Sequence, residues 1–265
     1  MNEFEKIPKK VKYFITDDFN LFLGDTLKIL KKIPNETFDM IFADPPYFLS
    51  NGGITCSNGK MVNVNKAKWD EGKSITDKHK FNLKWIKECQ RILKPNGTIW
   101  ISGSFHNIYS IGMALESLNY KILNNITWYK PNASPNLSCR FFTHSTETIL
   151  WAAKDKNTKH TFNYQLMKER NDGKQKRDVW TIPVTPKSEK RFGKHPTQKP
   201  IKLLENIILS STNKGDLILD PFNGSGTTGI VAALYKRNYV GIDNVEEYLN
   251  ITKTRYSNIE PSLDI

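Results

Sequence analysis

Towards its C-terminal end the chain reads LILDPFNGSGTTGIVA, residues 217–232: an apolar strand, an acid, a glycine turn and a helix. Few folds use that succession, and Gly224 and Gly226 let the backbone turn tightly and approach a ligand closely. The same strand–helix rhythm runs through the chain. FNLFLGD (19–25) predicts a strand and TLKILKKI a helix, and FDMIFADPPY (38–47) predicts a second strand. FNLKWIKECQRIL (81–93) has helical spacing and KPNGTIWISG predicts a turn and a strand. NIYSIGMALESLNY, KILNNITWYK and ETILWA continue as a helix and two strands. IKLLENIILSST, NYVGID and EEYLNITKTRYSNI supply a helix, a strand and a helix around the glycine turn. Such alternation predicts an α/β fold with a mostly parallel sheet. The 265 residues suffice for one large domain carrying a recognition insert.

The glycine turn limits what it can bind. It has no GK[ST] and no lysine to meet a phosphate, so it is not a P-loop, and it is not GxGxxG. Asp220 at the strand end would repel a pyrophosphate and suits a cation such as an amino-acid ammonium. The next strand ends VGID, which puts Asp243 where an acid meets ribose hydroxyls. A ligand with a ribose, a cationic amino acid and no phosphates fits S-adenosylmethionine. An ordinary βαβ turn, with glycines merely convenient, is the competing reading of this stretch alone.

The net charge is +12, from 39 Lys+Arg against 27 Asp+Glu. That favours a polyanionic partner, although lysine drift in an AT-rich genome accounts for it equally well. The excess is uneven: residues 130–195 hold fourteen Lys/Arg and six Asp/Glu. Cys56, Cys89 and Cys139 are widely spaced and form no zinc pattern, so no metal is expected and a reducing cytoplasm fits. MNEFEKIPKK lacks the apolar core of a signal peptide and no run is long enough to span a membrane, so a cytoplasmic protein is expected.

DPPY (44–47), DPFNGSGTTG (220–229) and GKHPTQKP (193–200) together resemble the amino-methyltransferases that modify exocyclic nitrogens in DNA. DPPY precedes the cofactor motif with a long segment between them, which is the order of that family's β group. The resemblance covers about residues 19–257. It implies a circularly permuted, Rossmann-like S-adenosylmethionine-dependent methyltransferase sheet with an inserted target-recognition segment. It implies cofactor contacts from Asp25 (at the adenine), Thr197, Gln198 and Lys199 (at the methionine end), and Asp220, Pro221, Phe222, Gly224, Ser225, Gly226, Thr227 and Asp243. Asp25 is equally placed to cap the helix TLKIL.

The chemistry accounts for the paired prolines. An exocyclic amine is a poor nucleophile because its lone pair is delocalised into the ring. Asp44 and the Pro45 carbonyl would each accept one N–H and draw the nitrogen towards sp³ geometry, Pro46 would hold residue 45 extended, and Tyr47 would stack on the base. A base inside a duplex cannot reach such a pocket and must be flipped out. Asp at the first motif position goes mostly with adenine N6, with cytosine N4 as the alternative.

Two regions break the rhythm. Residues 48–80 predict a long, mobile DNA-facing loop, with Ser50 and Asn51 as candidate contacts and a disordered surface loop as the alternative, and residues 155–195 predict a target-recognition segment. Residues 1–18 predict a polar N-terminal arm ahead of a single methyltransferase domain spanning 1–265. Arg140, with Phe141 and Phe142, is a candidate to meet phosphate and a base, with a core strand edge as the equal alternative for the two Phe residues, and Lys174, Lys176, Arg177, Lys190 and Arg191 are candidate phosphate contacts. DPPYFLSNGGI, WISGSFHNIYSIGMALE, NNITWYKPNASPNLSCRFFTHSTETILWA and NDGKQKRDVW are similar to the DpnA-type second adenine methyltransferases of GATC restriction–modification systems. That likeness implies methylation of adenine in GATC, on single-stranded as well as duplex DNA, and group membership implies a homodimer. A catalytically silent nucleic-acid-binding protein and an RNA-modifying enzyme are the competing functions.

Overall fold

A computed structural model describes residues 4–46, 74–193 and 195–259, together with the backbone of 54–57 and 60–63. In chain order the strands are β1 (Lys12–Ile15), β2 (Phe19–Leu23), β3 (Phe38–Ala43), β4 (Ile54–Ser57), β5 (Lys60–Asn63), β6 (Leu93–Gly103), β7 (Lys121–Tyr129), β8 (Thr146–Ala153), β9 (Val179–Thr181), β10 (Leu217–Asp220) and β11 (Asn238–Asp243). The α-helices are α1 (Thr26–Leu30), α2 (Ile75–Ile92), α3 (Ile108–Ser117), α4 (Tyr164–Glu169), α5 (Ile201–Ser211), α6 (Thr227–Leu234) and α7 (Glu246–Ser257).

Nine strands form one sheet in the order β1-β2-β11-β10-β3-β6-β8-β7-β9. The five from β2 to β6 are parallel to one another. The last units of the chain, β10 and β11, are thus inserted between the first parallel strands, as a circular permutation demands. From β10 the chain moves through α6 to β11 on one side, and from β3 through α2 to β6 on the other. Their connections diverge, so β3 and β10 flank a topological switch point, where open α/β sheets form their ligand crevice at the carboxyl ends of the strands.

Alternation along the strands builds two cores. Ile41, Ala43, Ile99, Ile101, Leu219, Val240 and Ile242 face α1, α2 and α3, where Trp85, Ile86, Cys89 and Ile92 cover them. Met40, Phe42, Trp100, Ile218 and Tyr239 face α5 and α6, with Leu203, Leu204, Ile207 and Val231 against them. The expected turn at KPNG stays within β6 as an excursion, because the pairing with β3 jumps from Phe38↔Leu93 to Met40↔Thr98.

Three expectations are corrected. The polar arm expected over 1–18 is packed onto the sheet in its described part, residues 4–18: Phe4 and Ile7 are buried in one core with Phe22 and Phe38, and β1 pairs antiparallel with β2. The loop expected over 48–80 holds an antiparallel pair, β4 with β5, and its last residues belong to α2. Ser74 caps that helix, accepting from Asp77 N (3.1 Å) and donating to Asp77 Oδ2 (2.7 Å). Residues 155–195 are in part core: Trp180 on β9 is buried, and Trp100 stacks on Trp151 at 4.6 Å beside it.

Gly229 shows how closely α6 seats on the sheet. A Cβ there would lie 2.5 Å from Tyr239 Cε1 and 2.8 Å from Phe19 Cζ. Gly229→Ala is expected to cost about 1–3 kcal/mol, read from the midpoint of urea unfolding. An unchanged midpoint would show that the two rings can move aside.

Candidate active site

Four strand ends converge at the switch point. β2 delivers Asp25, β3 delivers Asp44, β10 delivers Asp220 and β11 delivers Asp243, and all four line one cavity of about 310 Å³. Hydrogen bonds between distant segments hold the ends together. Thr26 Oγ1 donates to Pro221 O (2.8 Å), and Gly24 N donates to Asp243 O (2.8 Å).

The glycine turn is shaped from behind. Asn223 Nδ2 donates to Gly224 O and to Thr252 Oγ1, both at 2.8 Å, and its Oδ1 accepts from Tyr239 Oη (2.8 Å). Arg255 on α7 donates to Ser225 O (2.7 Å) and Thr227 Oγ1 (2.9 Å). Gly224 (φ +50°) lies under His195, where a Cβ would sit 3.1 Å from Nε2. Gly226 (φ +71°) differs from the expectation: it does not line the cavity, and a Cβ there would meet the Thr252 side chain at 2.3 Å. Its role here is close packing of the turn on α7.

The acids are not equivalent. Asp220 is buried and accepts from Thr228 Oγ1 (2.6 Å) and Phe222 N (3.1 Å). Burial raises its pKa to about 7 against those hydrogen bonds, with Asp44 and Asp243 adding repulsion. Asp243 accepts from Gly224 N (2.7 Å) and Val245 N (2.9 Å), and burial lifts it to about 6 despite these donors. Asp25 both lines the cavity and caps α1, accepting from Lys28 N (2.8 Å). Phe222 forms an apolar wall, its ring edge-on to Trp85 at 5.3 Å.

Asp44 carries the strongest contacts. Ser102 Oγ donates to Oδ1 and Lys199 Nζ to Oδ2, each at 2.5 Å. Lys199 comes from the GKHPTQKP segment, which also sets Thr197 and Gln198 against the cavity. Gln198 Nε2 donates to Glu189 O (2.8 Å), and Thr185 Oγ1 donates to Gln198 O, so the insert braces this wall. Pro45 and Pro46 line the opening, while Tyr47, Ser50 and Asn51 fall outside the described residues. Sequence reading missed Ser102, Glu147, His195 and Tyr248. His195 sits edge-on to Tyr248 at 4.4 Å, and burial lowers its pKa to about 4, so it is neutral at physiological pH.

Among the described residues, none of the candidate DNA contacts lines this cavity. Arg140, Phe141 and Phe142 are exposed on the loop between β7 and β8, where His144 stacks on Phe105 at 4.8 Å. Lys174 and Arg177 are exposed, and Lys176 lies over Trp180 (5.6 Å). Lys190 is half-buried, and the exposed Arg191 covers Phe192 (4.7 Å).

A family model described as DNA methylase matches residues 38–254, spanning both the Asp44 motif and the glycine turn. The chain belongs to this N6/N4 DNA methylase family. It is 62% identical over 244 residues to the type II methyltransferase M2.DpnII of Streptococcus pneumoniae, covering 92% of this chain and 91% of that protein. It is 52% identical to M2.MboI of Moraxella bovis, over 95% of this chain and 93% of that one. Among solved structures, M1.HpyAVI in complex with SAM superposes with a TM-score of 0.68 at 30% identity, over 91% of this chain and 100% of that one. The cytosine-N4-specific PvuII methyltransferase shares the fold, with a TM-score of 0.70 at 20% identity over 93% of this chain and 89% of that one. Among the described residues, no helix is long and apolar enough to cross a membrane.

The two buried acids give the ligand-free protein a defined pH response. Their folded pKa values exceed the ordinary 3.8, so the stability tied to their protonation is full below about pH 4 and is lost as pH rises through 6 and 7. Unfolding free energy should therefore fall from pH 5 to pH 8. Asp220→Asn should flatten that slope and gain roughly 1–3 kcal/mol at pH 8, measured by urea unfolding across pH. An unaltered slope in the variant would assign the effect to other groups.

Proposed function

We propose that this chain transfers a methyl group from S-adenosylmethionine to the N6 amino group of a flipped-out adenine in DNA. The observation that carries this reading is the single cavity that joins Asp44 and Pro45 to the ends of β10 and β11. The cavity fits the cofactor in three respects. It offers buried acids at Asp220 and Asp243, no lysine at the glycine turn, and a buried acceptor, Gln198 Oε1, with no hydrogen-bond partner among the described residues. Asp220 would face the amino-acid ammonium, Asp243 the ribose hydroxyls, and Asp25 and Phe222 the adenine side. When bound, the cofactor supplies a methyl group activated on a sulfonium.

The residues of the chain prepare the acceptor. Asp44 accepts one N–H of the target amine and the Pro45 carbonyl accepts the other, which localises the nitrogen lone pair and aims it along the transfer line. Pro46 restricts residue 45 to extended backbone and so fixes that carbonyl. Tyr47 is assigned the stacking role on the base. The nitrogen would gain the methyl as the methyl–sulfur bond breaks to leave a neutral thioether, and the proton it then sheds would pass to water, so neither a metal nor a covalent enzyme intermediate is required. Positioning and electrostatics supply the acceleration.

The finer assignments rest on likeness. Asp44 at the first motif position favours adenine over cytosine N4. The segments shared with DpnA-type enzymes support GATC, activity on single-stranded as well as duplex DNA, a homodimer, and a protective role in a cytoplasmic restriction–modification system. Arg140, Lys174, Lys176, Arg177, Lys190 and Arg191 are proposed as phosphate contacts, with Ser50 and Asn51 near the flipped base.

The deciding experiment transfers labelled methyl to unmethylated duplex and single-stranded oligonucleotides, with and without GATC, and identifies the product nucleoside by mass. N6-methyladenine confined to GATC is the expected result. N4-methylcytosine would overturn the base assignment, and label in other adenines would overturn the site. Binding of cofactor and DNA without transfer would favour a silent binding protein, and preference for ribo-oligonucleotides an RNA enzyme. Asp44→Ala should abolish transfer while cofactor affinity stays within a few-fold, and Asp243→Ala should weaken cofactor binding at least about tenfold, the loss of roughly one hydrogen bond to a charged group. Calorimetric titration checks both, and lost binding in Asp44→Ala would make that residue structural.

A further inference from the structure

Asp44 belongs to a larger buried array. Lys199, whose side chain is 6% exposed, holds Asp44 Oδ2 at 2.5 Å and lies 3.6 Å from Glu147 Oε2. Glu147 Oε1 in turn accepts from Lys130 Nζ at 3.0 Å. All four side chains are at most 17% exposed, and their charges alternate in sign. Burial opposes the charge on Lys199, but Asp44 and Glu147 outweigh it and raise the lysine's pKa, so the ammonium is retained.

The array has a directional consequence. An ammonium has three N–H groups on a flexible stem. With Glu147 drawing one of them, the ammonium is fixed and approaches Asp44 from one side. Ser102 holds the other carboxylate oxygen, and Asp44 lines the cavity. Without Glu147, the freed N–H would turn onto Asp44 and compete with Ser102 and with the substrate amine. Lys130 fixes Glu147 from behind. These two residues stand at the neck of the β7–β8 loop, where Lys130 N also donates to Ser145 O (2.7 Å). That loop carries Arg140, Phe141 and Phe142.

We propose that Glu147, braced by Lys130, is a positioning residue for the catalytic carboxylate of Asp44, acting through Lys199. This rests on the methyltransferase reading. The competing explanation is an ion pair that merely ties β8 to the start of α5.

The test uses the full chain and Glu147→Gln. The single-turnover rate of methyl transfer is expected to fall about 100-fold, the scale of a catalytic group misplaced by about 1 Å. Affinities for S-adenosylmethionine and DNA, and the fluorescence rise of 2-aminopurine at the target position, should match wild type. In a Lys199→Met background, Glu147→Gln should cost nothing further, because the two act in series. Losses that multiply, or a fall in binding and thermal stability with the rate intact, would overturn the proposal. Should Glu147→Gln fail to fold, Lys130→Met provides the same comparison: a slower rate in wild type and no added effect with Lys199→Met. Wild-type protein that transfers no methyl overturns the methyltransferase reading and this proposal with it. Wild-type activity with an undiminished variant rate overturns the proposal alone.

Discussion

The pairing of β10 between β3 and β11 is the constraint on which the site depends. β3 comes from the early part of the chain and β10 from the late part, yet Ile218 and Leu219 lie in register with Met40 and Ile41. Parallel pairing aligns their carboxyl ends. Asp44 and Asp220 therefore open into the same crevice without any long loop reaching across. The connections leave these strands in opposite directions, so no crossover helix closes the crevice. Thr26 on Pro221 O and Gly24 on Asp243 O repeat the stitching between the chain ends one strand further out. A cut in the order of elements, early units first and cofactor units last, leaves the sheet unaffected because hydrogen bonding and not chain order fixes the neighbours.

Bringing those strand ends together also brings acids together, and the protein resolves the conflict differently at each. Asp44 is neutralised directly by Lys199. Asp220 and Asp243 have no such cation among the described residues and are held by hydroxyl and backbone donors, with pKa values raised by burial. The two halves of the cavity thus differ in kind. Towards β3 the charge is already balanced, which suits a neutral amine needing an oriented acceptor. Towards β10 and β11 the buried acids suit a cationic ligand with hydroxyls. Ionising them at neutral pH costs stability, and a cationic ligand would offset that cost on binding.

The features legible in the sequence were those whose meaning is local. The glycine turn, the acids at strand ends and the paired prolines are each marked within a few residues and come to line one cavity, and the alternation of strands and helices follows from periodicity. What was not legible depends on contacts between distant segments. Gly226 looks like Gly224 on paper, but only the packing of α7 shows that Thr252 occupies the space beside it. Phe4 and Ile7 are too few to make a pattern, so the first residues looked polar although both side chains are buried. Glu147 on β8, whose register partner is Trp128, meets Lys130 just past the end of β7, a diagonal contact that neither strand declares alone. The start of α2 was readable and was missed: Ser74 and Asp77 have the spacing of a capping box with Asp in the place of Glu.

The insert between the two halves is bound into the structure it interrupts. Trp180 packs beside Trp100 and Trp151, and Trp128 Nε1 donates to Ile182 O (2.7 Å). Glu189 accepts from Ile201 N (2.9 Å) and Thr185 holds Gln198, so the segment carrying the insert's basic residues also places Lys199. A separable module could change its DNA contacts without disturbing catalysis. Here the wall that meets the ligand and the segment that carries the basic charge share one set of hydrogen bonds. A displacement of the insert would reach Asp44 through Lys199, at one lysine's remove, so the insert and the wall that carries Asp44 are mechanically joined.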